Sequence, residues 1–389
     1  MRPALDATVE LDRTVATDLS ERILLVTPGY PPDLGGIEHH VAQLARGIVT
    51  GTSCEVVVAT FGNPGDEEPR VEHLDGVTVH RFPLTVARPA YRYSRDLHAW
   101  LRAHGRDFGI VHSHGYHALP ALAASRIRGP VTVFTPHYHG TGHSLVRRYL
   151  HRVYRPAGHG IMRRADAILC VSEAEAARVR RHFPSTGSKI HVVPNGVDPP
   201  SAFTPPMTSR ETVVLCSGRL EAYKGVDHLV AAAAELGDDY RVVVTGDGPH
   251  LATLRELAAR LGVQERVLLT GILPVEELQR WQRAAAVYVT LSTNEAFNIA
   301  AYEAAGAGAR IVASDIPAHR EMLDRLLPGT VVLVPARPDV PALARVIEAS
   351  AGLERVTAPQ PVPTWTDAVQ RVVSIYREEL ASPSRVRAS

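Results

Sequence analysis

Short, nearly continuous β-branched runs alternate along the chain with longer stretches in which apolar residues recur every three to four positions. The short runs are the mark of strands covered on both faces. The longer spacing is one face of a helix. The run RILLVTP, Arg22 to Pro28, reads as a buried strand and is followed by a Gly/Pro loop, GYPPDLGG. A helix is then predicted from about Gly36, with Ile37, Val41, Leu44, Ala45 and Ile48 on one face. Further strands are predicted at Glu55–Ala59, Val77–Phe82, Ile110–Ser113, Val131–Thr135, Ala167–Val171 and Ile190–Val193. Strands alternating with helices in this way build an open parallel sheet with helices on both faces.

The rhythm breaks at PNGVDPPSAFTPPMTSRE, Pro194 to Glu211, which holds five prolines and no apolar period. It then restarts. Strands are predicted at Val213–Ser217, Arg241–Thr245, Val267–Thr270, Val287–Leu291, Arg310–Ala313 and Val331–Val334. Helices fall near Val226–Leu236, His250–Leu261, Pro274–Ala284 and Asn298–Ala305. Two doubly wound α/β domains facing each other across a cleft follow from this pattern. Ligands of such sheets bind at the carboxyl ends of the strands, so the cleft is the expected site. The expected division is 1–20 as a disordered extension, 21–198 as the first domain and 199–364 as the second. A last helix, Trp365 to Leu380, is expected to cross back onto the first domain.

Composition narrows the class. Of 389 residues, 45% are hydrophobic and 21% charged, which describes a globular chain. A net charge of +1 argues against a general nucleic-acid binder. Cys54, Cys170 and Cys216 are widely separated and odd in number, so buried free thiols are expected. The N-terminal stretch carries acids and no apolar h-region, so it does not read as a signal peptide. A cytoplasmic protein, monomeric or homodimeric, is expected.

Several motifs carry candidate chemistry. GRLEAYKG (Gly218–Gly225) follows a strand and holds Arg219 and Lys224 between glycines; the two cations could bind a diphosphate, one as a planar fork and one as a point charge. A solvated loop with two surface charges is the plain alternative. GDGPH (Gly246–His250) is a tight strand-to-helix turn that is more often structural than ligand-binding. In TNEAFNIAAYEAAGAG, the first N–H groups at Phe297, Asn298 and Ile299 are expected to form an anion site at a helix N-terminus. Glu295 precedes that helix and Glu303 lies about two turns in. Carboxylates repel phosphate, so their partners would be hydroxyls. The alternative is a macrodipole role for Glu295 and a solvated Glu303. Gly35 and Gly36 would let backbone approach a ligand closely. DLGGIEHH lacks G-x-G-x-x-G, which disfavours a dinucleotide. HSHGYH and HYHGTGH place His112, His114, His117, His137, His139 and His143 after strands. H-x-H spacing can bind zinc, but no HExxH or paired CxxC accompanies it, so no metal is expected; capping and turn histidines are the plain alternative, and His114 is the candidate cleft residue. The basic stretch Arg147–Asp166 admits peripheral contact with a membrane surface, although a solvated helix face explains it as well.

Taken together, GGIEHHV, HSHG, TPHYHG, ADAILCVSE, VVPNGVD, GRLEAYKG, GDGP and the E-x7-E segment resemble the family 4 glycosyltransferases of the GT-B fold. The resemblance runs from about Arg22 to Leu380. It implies two Rossmann-like domains and retaining transfer from a UDP- or GDP-sugar without a metal or other cofactor. On matching positions it implies that Arg219 and Lys224 bind the diphosphate, Glu303 the ribose, and Glu295 the donor sugar. The backbone of Phe297, Asn298 and Ile299 would lie nearby, Gly35 and Gly36 against the diphosphate or sugar, and His114 on the sugar. Asn298 departs from the pattern, because the family has glycine there. The implied acceptor is a natural-product or saccharide intermediate, with a lipid-linked or cell-envelope acceptor as the alternative. A sugar-nucleotide 2-epimerase is a further alternative of the same architecture.

Overall fold

In the computed structural model, the described residues are 19–33, 35–63, 65–88, 91–138, 140, 145–201 and 203–382. The expected N-terminal extension therefore lies almost wholly outside them, as do His139 and His143. The first sheet contains β1 (Arg22–Val26), β2 (Glu55–Phe61), β3 (Arg70–Leu74), β4 (Val77–Phe82), β7 (Ile110–His114), β8 (Val131–Thr135), β9 (Ala167–Cys170) and β10 (Ile190–Val192), in the order β10-β9-β8-β7-β1-β2-β4-β3. The pair β5 (Val86–Arg88) and β6 (Tyr91–Tyr93) forms a separate hairpin. Pairing is parallel throughout the large sheet except at its edge, where β3 runs antiparallel to β4. The second sheet is wholly parallel, in the order β13-β12-β11-β14-β15-β16. Its strands are β11 (Thr212–Ser217), β12 (Tyr240–Thr245), β13 (Val267–Gly271), β14 (Val287–Thr290), β15 (Arg310–Ser314) and β16 (Val331–Val334).

Both sheets are covered on two faces, which is why the middles of their central strands are buried. Val26, Leu24, Ile23 and Val58 have no exposed surface, and neither do Val214, Leu215 and Val243. In each sheet the winding reverses once near the middle, between β1 and β7 and between β11 and β14. Loops leaving neighbouring strands there diverge to opposite faces and open a crevice. The three cysteines are buried and free.

The chain crosses between the domains twice, and the two crossings touch. Val197 N–H donates to Pro363 carbonyl at 3.0 Å, and a Cβ on Gly196 would run into the Trp365 backbone. Helix Trp365–Leu380 then returns to the first domain. Its Val369, Val372, Val373, Ile375 and Tyr376 join the core made by Ile23, Leu25, Val41 and Leu44. Tyr376 hydroxyl also meets His112 Nδ1 at 2.7 Å beneath the sheet. Ser172 hydroxyl donates to Ala296 carbonyl at 2.6 Å, a further tie between the domains. No described helix is long and apolar enough to cross a membrane. The basic stretch after Arg147 falls within a helix, Leu145–Arg164.

Candidate active site

The loops at the β11/β14 reversal carry most of the expected residues. After β11 the chain enters Gly218–Gly225, which is braced from below by the GDGP turn. A Cβ on Gly246 would strike Gly218 carbonyl and one on Gly248 would strike Leu220 carbonyl. The glycines of GDGP are thus accounted for by packing of loop on loop, the structural of its two readings. Gly225 has φ +66 and lies where a Cβ would come within 2.6 Å of Leu291 carbonyl, so this corner of the chain is closed to larger residues. Thr293 N–H donates to Tyr223 carbonyl at 2.9 Å and ties the two loops together.

That tie brings Lys224 Nζ to 2.6 Å from Glu295 Oε1. Burial opposes both charges, but each offsets the cost for the other. Glu295 holds Lys224 up at about 12, and Lys224 pulls Glu295 below the usual carboxylate range. Both groups are therefore ionised at neutral pH. Glu303 differs. It is largely enclosed, its carboxylate accepts from the buried amide of Gln282 at 3.1 Å, and burial pushes it up to about 7. Arg219 stands apart from this cluster. Its side chain is 73% exposed and leans on Glu221 at 3.4 Å.

The helix between the carboxylates starts later than the sequence suggests. It spans Ile299–Gly306, with Asn298 as its N-cap. The expected first N–H groups at Phe297 and Asn298 are therefore outside the helix, and the first turn begins at Ile299. The cause is local. Asn298 adopts the left-handed conformation at φ 84 and ψ 65, which a helix interior does not allow. Phe297 is buried and stacks on Tyr302, with ring centroids 4.6 Å apart. The Asn298 amide accepts from Ala301 N–H at 3.4 Å and donates to Thr290 hydroxyl and His319 Nε2, both at 3.0 Å. His319 is fully buried, and its Nδ1 lies 2.8 Å from Ser314 carbonyl. With Nε2 accepting, the proton belongs on Nδ1, and burial keeps the ring neutral. His319 and Gln282 were missed by sequence reasoning. His319 could have been found, because it follows the carboxyl end of β15 as the other candidates follow their strands.

In the first domain, Gly35 and Gly36 open helix Gly36–Gly51 beside the β1/β7 reversal. Nothing stands within 4 Å of a Cβ built on Gly36. At Gly35 the space is taken by the carboxylate of Glu38, which also packs against Gly29. Burial raises Glu38, while Arg219 from the other domain acts in the opposite direction. His114, expected to face the cleft, has no accessible surface. Its ring is enclosed by His112, His40 and His137, with centroids 4.2, 5.4 and 5.9 Å away. A sugar contact at His114 would first require the ring to be uncovered.

The profile "Glycosyltransferase Family 4" matches residues 34–200, and "Glycosyl transferases group 1" matches 202–350. Between them they cover both domains. The chain belongs to the family 4 glycosyltransferases. Its fold is that of the GT-B enzymes. It is 29% identical over 336 residues to D-inositol 3-phosphate glycosyltransferase of Xylanimonas cellulosilytica, covering 75% of this chain and 78% of that one. It is 26% identical over 387 residues to one subunit of the human phosphatidylinositol N-acetylglucosaminyltransferase, covering 92% and 76%. Sucrose-phosphate synthase from Thermosynechococcus elongatus superposes with a TM-score of 0.74 at 23% identity, over 93% of this glycosyltransferase and 99% of the synthase.

Proposed function

We propose that this glycosyltransferase moves a sugar from a UDP- or GDP-sugar to an acceptor hydroxyl with retention of anomeric configuration, and that the transfer needs no metal at the phosphates. The observation that carries the reading is the buried, ionised Lys224–Glu295 pair at the β11/β14 reversal, with Glu303 enclosed behind it. Lys224, Arg219 and the N–H groups from Ile299 onward would face the diphosphate and stabilise charge as the leaving group departs. Glu303 would accept from the ribose hydroxyls, and Glu295 from hydroxyls of the donor sugar. Gly36 would admit the diphosphate close to the first domain. His114 would hydrogen-bond the donor sugar once its enclosed ring is uncovered.

In the front-face route, the C1–oxygen bond to the diphosphate breaks while the acceptor oxygen attacks from the same side. The acceptor proton passes to the departing phosphate oxygen. A double displacement would instead need a carboxylate at the opposite face of C1. Glu295 is held on Lys224 and would be engaged with hydroxyls, which favours the front-face route. A trapped glycosyl–Glu295 adduct would overturn it.

A natural-product or saccharide intermediate is one acceptor reading. Inositol phosphates and phosphatidylinositol form the second, favoured by the names of the two relatives. The test begins with a panel of nucleotide sugars scored by protection against thermal unfolding. The protecting donor is then incubated alone and with each acceptor class, and the product anomer is read by NMR. Isomerisation of donor alone would indicate an epimerase, and an inverted product would refute retention. Arg219→Ala should lower kcat/KM about 10- to 100-fold, as expected for lost charge-assisted hydrogen bonds. Its exposure predicts an unchanged Tm. Unaltered kcat/KM would remove Arg219 from the diphosphate site. Lys224→Ala is a poorer probe, because it strands the buried Glu295 charge and costs stability on the order of 3 kcal/mol.

A further inference from the structure

The groups at the β11/β14 reversal are held mainly from within the second domain, but one hydrogen bond reaches them from the first. Ser172 lies two residues beyond β9 and is the N-cap of helix Glu173–His182. Its hydroxyl donates to Ala296 carbonyl at 2.6 Å, and Ala296 follows Glu295 directly in the chain. We infer that Ser172 is a positioning residue for transfer. By holding the Ala296 peptide it fixes Glu295 and Asn298 in the geometry that the donor sugar meets, and it does so only while the two domains are together. The inference rests on the donor-sugar role proposed for Glu295.

A serine hydroxyl offers one proton and two lone pairs. Both functions are used here. A lone pair accepts from Glu175 N–H at 3.0 Å and so closes the first turn of the helix. The proton goes to Ala296 carbonyl, at a separation on the short side for an O–H···O bond. Ser172 is 1% exposed and Ala296 7%, so bulk water competes for neither group. The surroundings are apolar as well, because Val171 packs into the second domain's core with Ala296, Phe297 and Tyr302. A hydrogen bond in such a place is directional, and its partners are costly to leave unpaired. A second contact holds the same junction. Ala174 N–H, in the first turn of the helix, donates to the Glu321 carboxylate at 3.2 Å. Glu321 belongs to helix Pro317–Arg325 of the second domain, and a carboxylate at a helix N-terminus is favoured by the macrodipole.

On either side of Ala296 the segment is anchored to its own domain. Glu295 is tied to Lys224, Phe297 stacks on Tyr302, and the Asn298 amide reaches Thr290 and His319. The Ala296 peptide between them is where the first domain grips it. Parting of the domains would withdraw the Ser172 hydroxyl and leave that peptide free to turn. Glu295 would then shift against the groups proposed to hold the diphosphate. A misplacement of about 1 Å at a reacting centre can cost on the order of 100-fold in rate. Domain closure would thus align the donor sugar through a specific bond, in addition to excluding water.

The test compares three variants of the full chain. Ser172→Gly removes the hydroxyl, and glycine serves as an N-cap at little cost. Ser172→Asp keeps the capping acceptor but, ionised, has no proton to donate. Ser172→Thr keeps both functions. In the Gly and Asp variants, hydrogen exchange read by mass spectrometry should quicken across residues 295–298 while helix Glu173–His182 exchanges as in wild type. Their kcat/KM for the protecting nucleotide sugar should fall about 10-fold, as for one lost hydrogen bond. The Thr variant should match wild type in both measurements. A role in capping alone would instead be rescued by Asp. If the Gly variant does not fold, the Asp variant decides. Unchanged exchange at 295–298, or unchanged kcat/KM in the folded variants, would overturn the inference. Failure of the transfer reading has a separate signature, in that no nucleotide sugar protects the wild type. Exchange needs no donor, and it then decides alone whether Ser172 holds the segment.

Discussion

Asn298 stands where the resemblance implies glycine, and its left-handed backbone gives a physical reason for either residue. A left-handed residue is cheapest as glycine, and among side chains asparagine tolerates it best. Here the amide also holds Thr290 and His319. Asn298→Gly loses those bonds, at about 1 kcal/mol each, but relaxes the backbone. Asn298→Ala loses the bonds and keeps the strain. Thermal unfolding should therefore rank wild type, Gly and Ala in falling order, with Ala lower by about 2 kcal/mol. An alanine variant as stable as the glycine variant would refute the backbone argument.

Glu303 makes a prediction of opposite character, set by pH. Its folded pKa of about 7 lies above the ordinary 4.5, so the folded chain binds the proton more tightly than the unfolded chain. Stability from this group is full at about pH 4 and is lost as pH rises towards 7. Glu303→Gln removes that loss, on the order of 3 kcal/mol at most. The Tm of the variant should gain on wild type between about pH 5 and pH 8. Glu175, also raised to about 7 by burial, is present in both proteins and cancels in the difference. Parallel pH curves would show that Glu303 is not enclosed.

At the scale of elements, the C-terminal helix provides the sharpest test of packing. Gly47 lies on helix Gly36–Gly51 where an added Cβ would meet Val369 Cγ2 at 2.5 Å. On an open helix Gly→Ala adds up to about 1 kcal/mol of stability. Against Val369 it should instead cost about 1–3 kcal/mol by overpacking. Denaturant unfolding of Gly47→Ala reads the sign directly, and a stabilised variant would mean that the two helices do not meet. This contact was not legible in sequence, since the partners lie in regions far apart along the chain. The helix itself was legible, from Trp365 to Leu380, because its apolar face repeats at helical spacing. Strands with continuous apolar runs, such as the buried Val131–Thr135 and the sheet-edge Val331–Val334, were also read with their bounds. Edge strand β3 was not, because its residues alternate between half-buried and exposed and include Glu72 and His73. The left-handed turn at Asn298 moved a helix start that the apolar pattern placed too early.

For the whole molecule, the sequence by itself determined the order of strands and helices, the break between two domains, and the loops that carry charge. Those are local properties: periodicity, proline and glycine punctuation, and polar residues after strands. It also carried the family, through motifs spread over most of the chain. Only the tertiary structure decided which polar residues meet. Lys224 and Glu295 were separate candidates until the tie between their loops brought them to 2.6 Å. Arg219 was grouped with Lys224 by sequence but stands in solvent beside Glu221. His114 was grouped with its neighbours on β7, yet its ring also packs against His40, from a helix far earlier in the chain. The physical reason is that periodicity tells which face a residue occupies, whereas parallel sheets join segments separated by whole helices. Charge pairing, enclosure and ligand geometry depend on those distant neighbours, so they exist only once both sheets are wound.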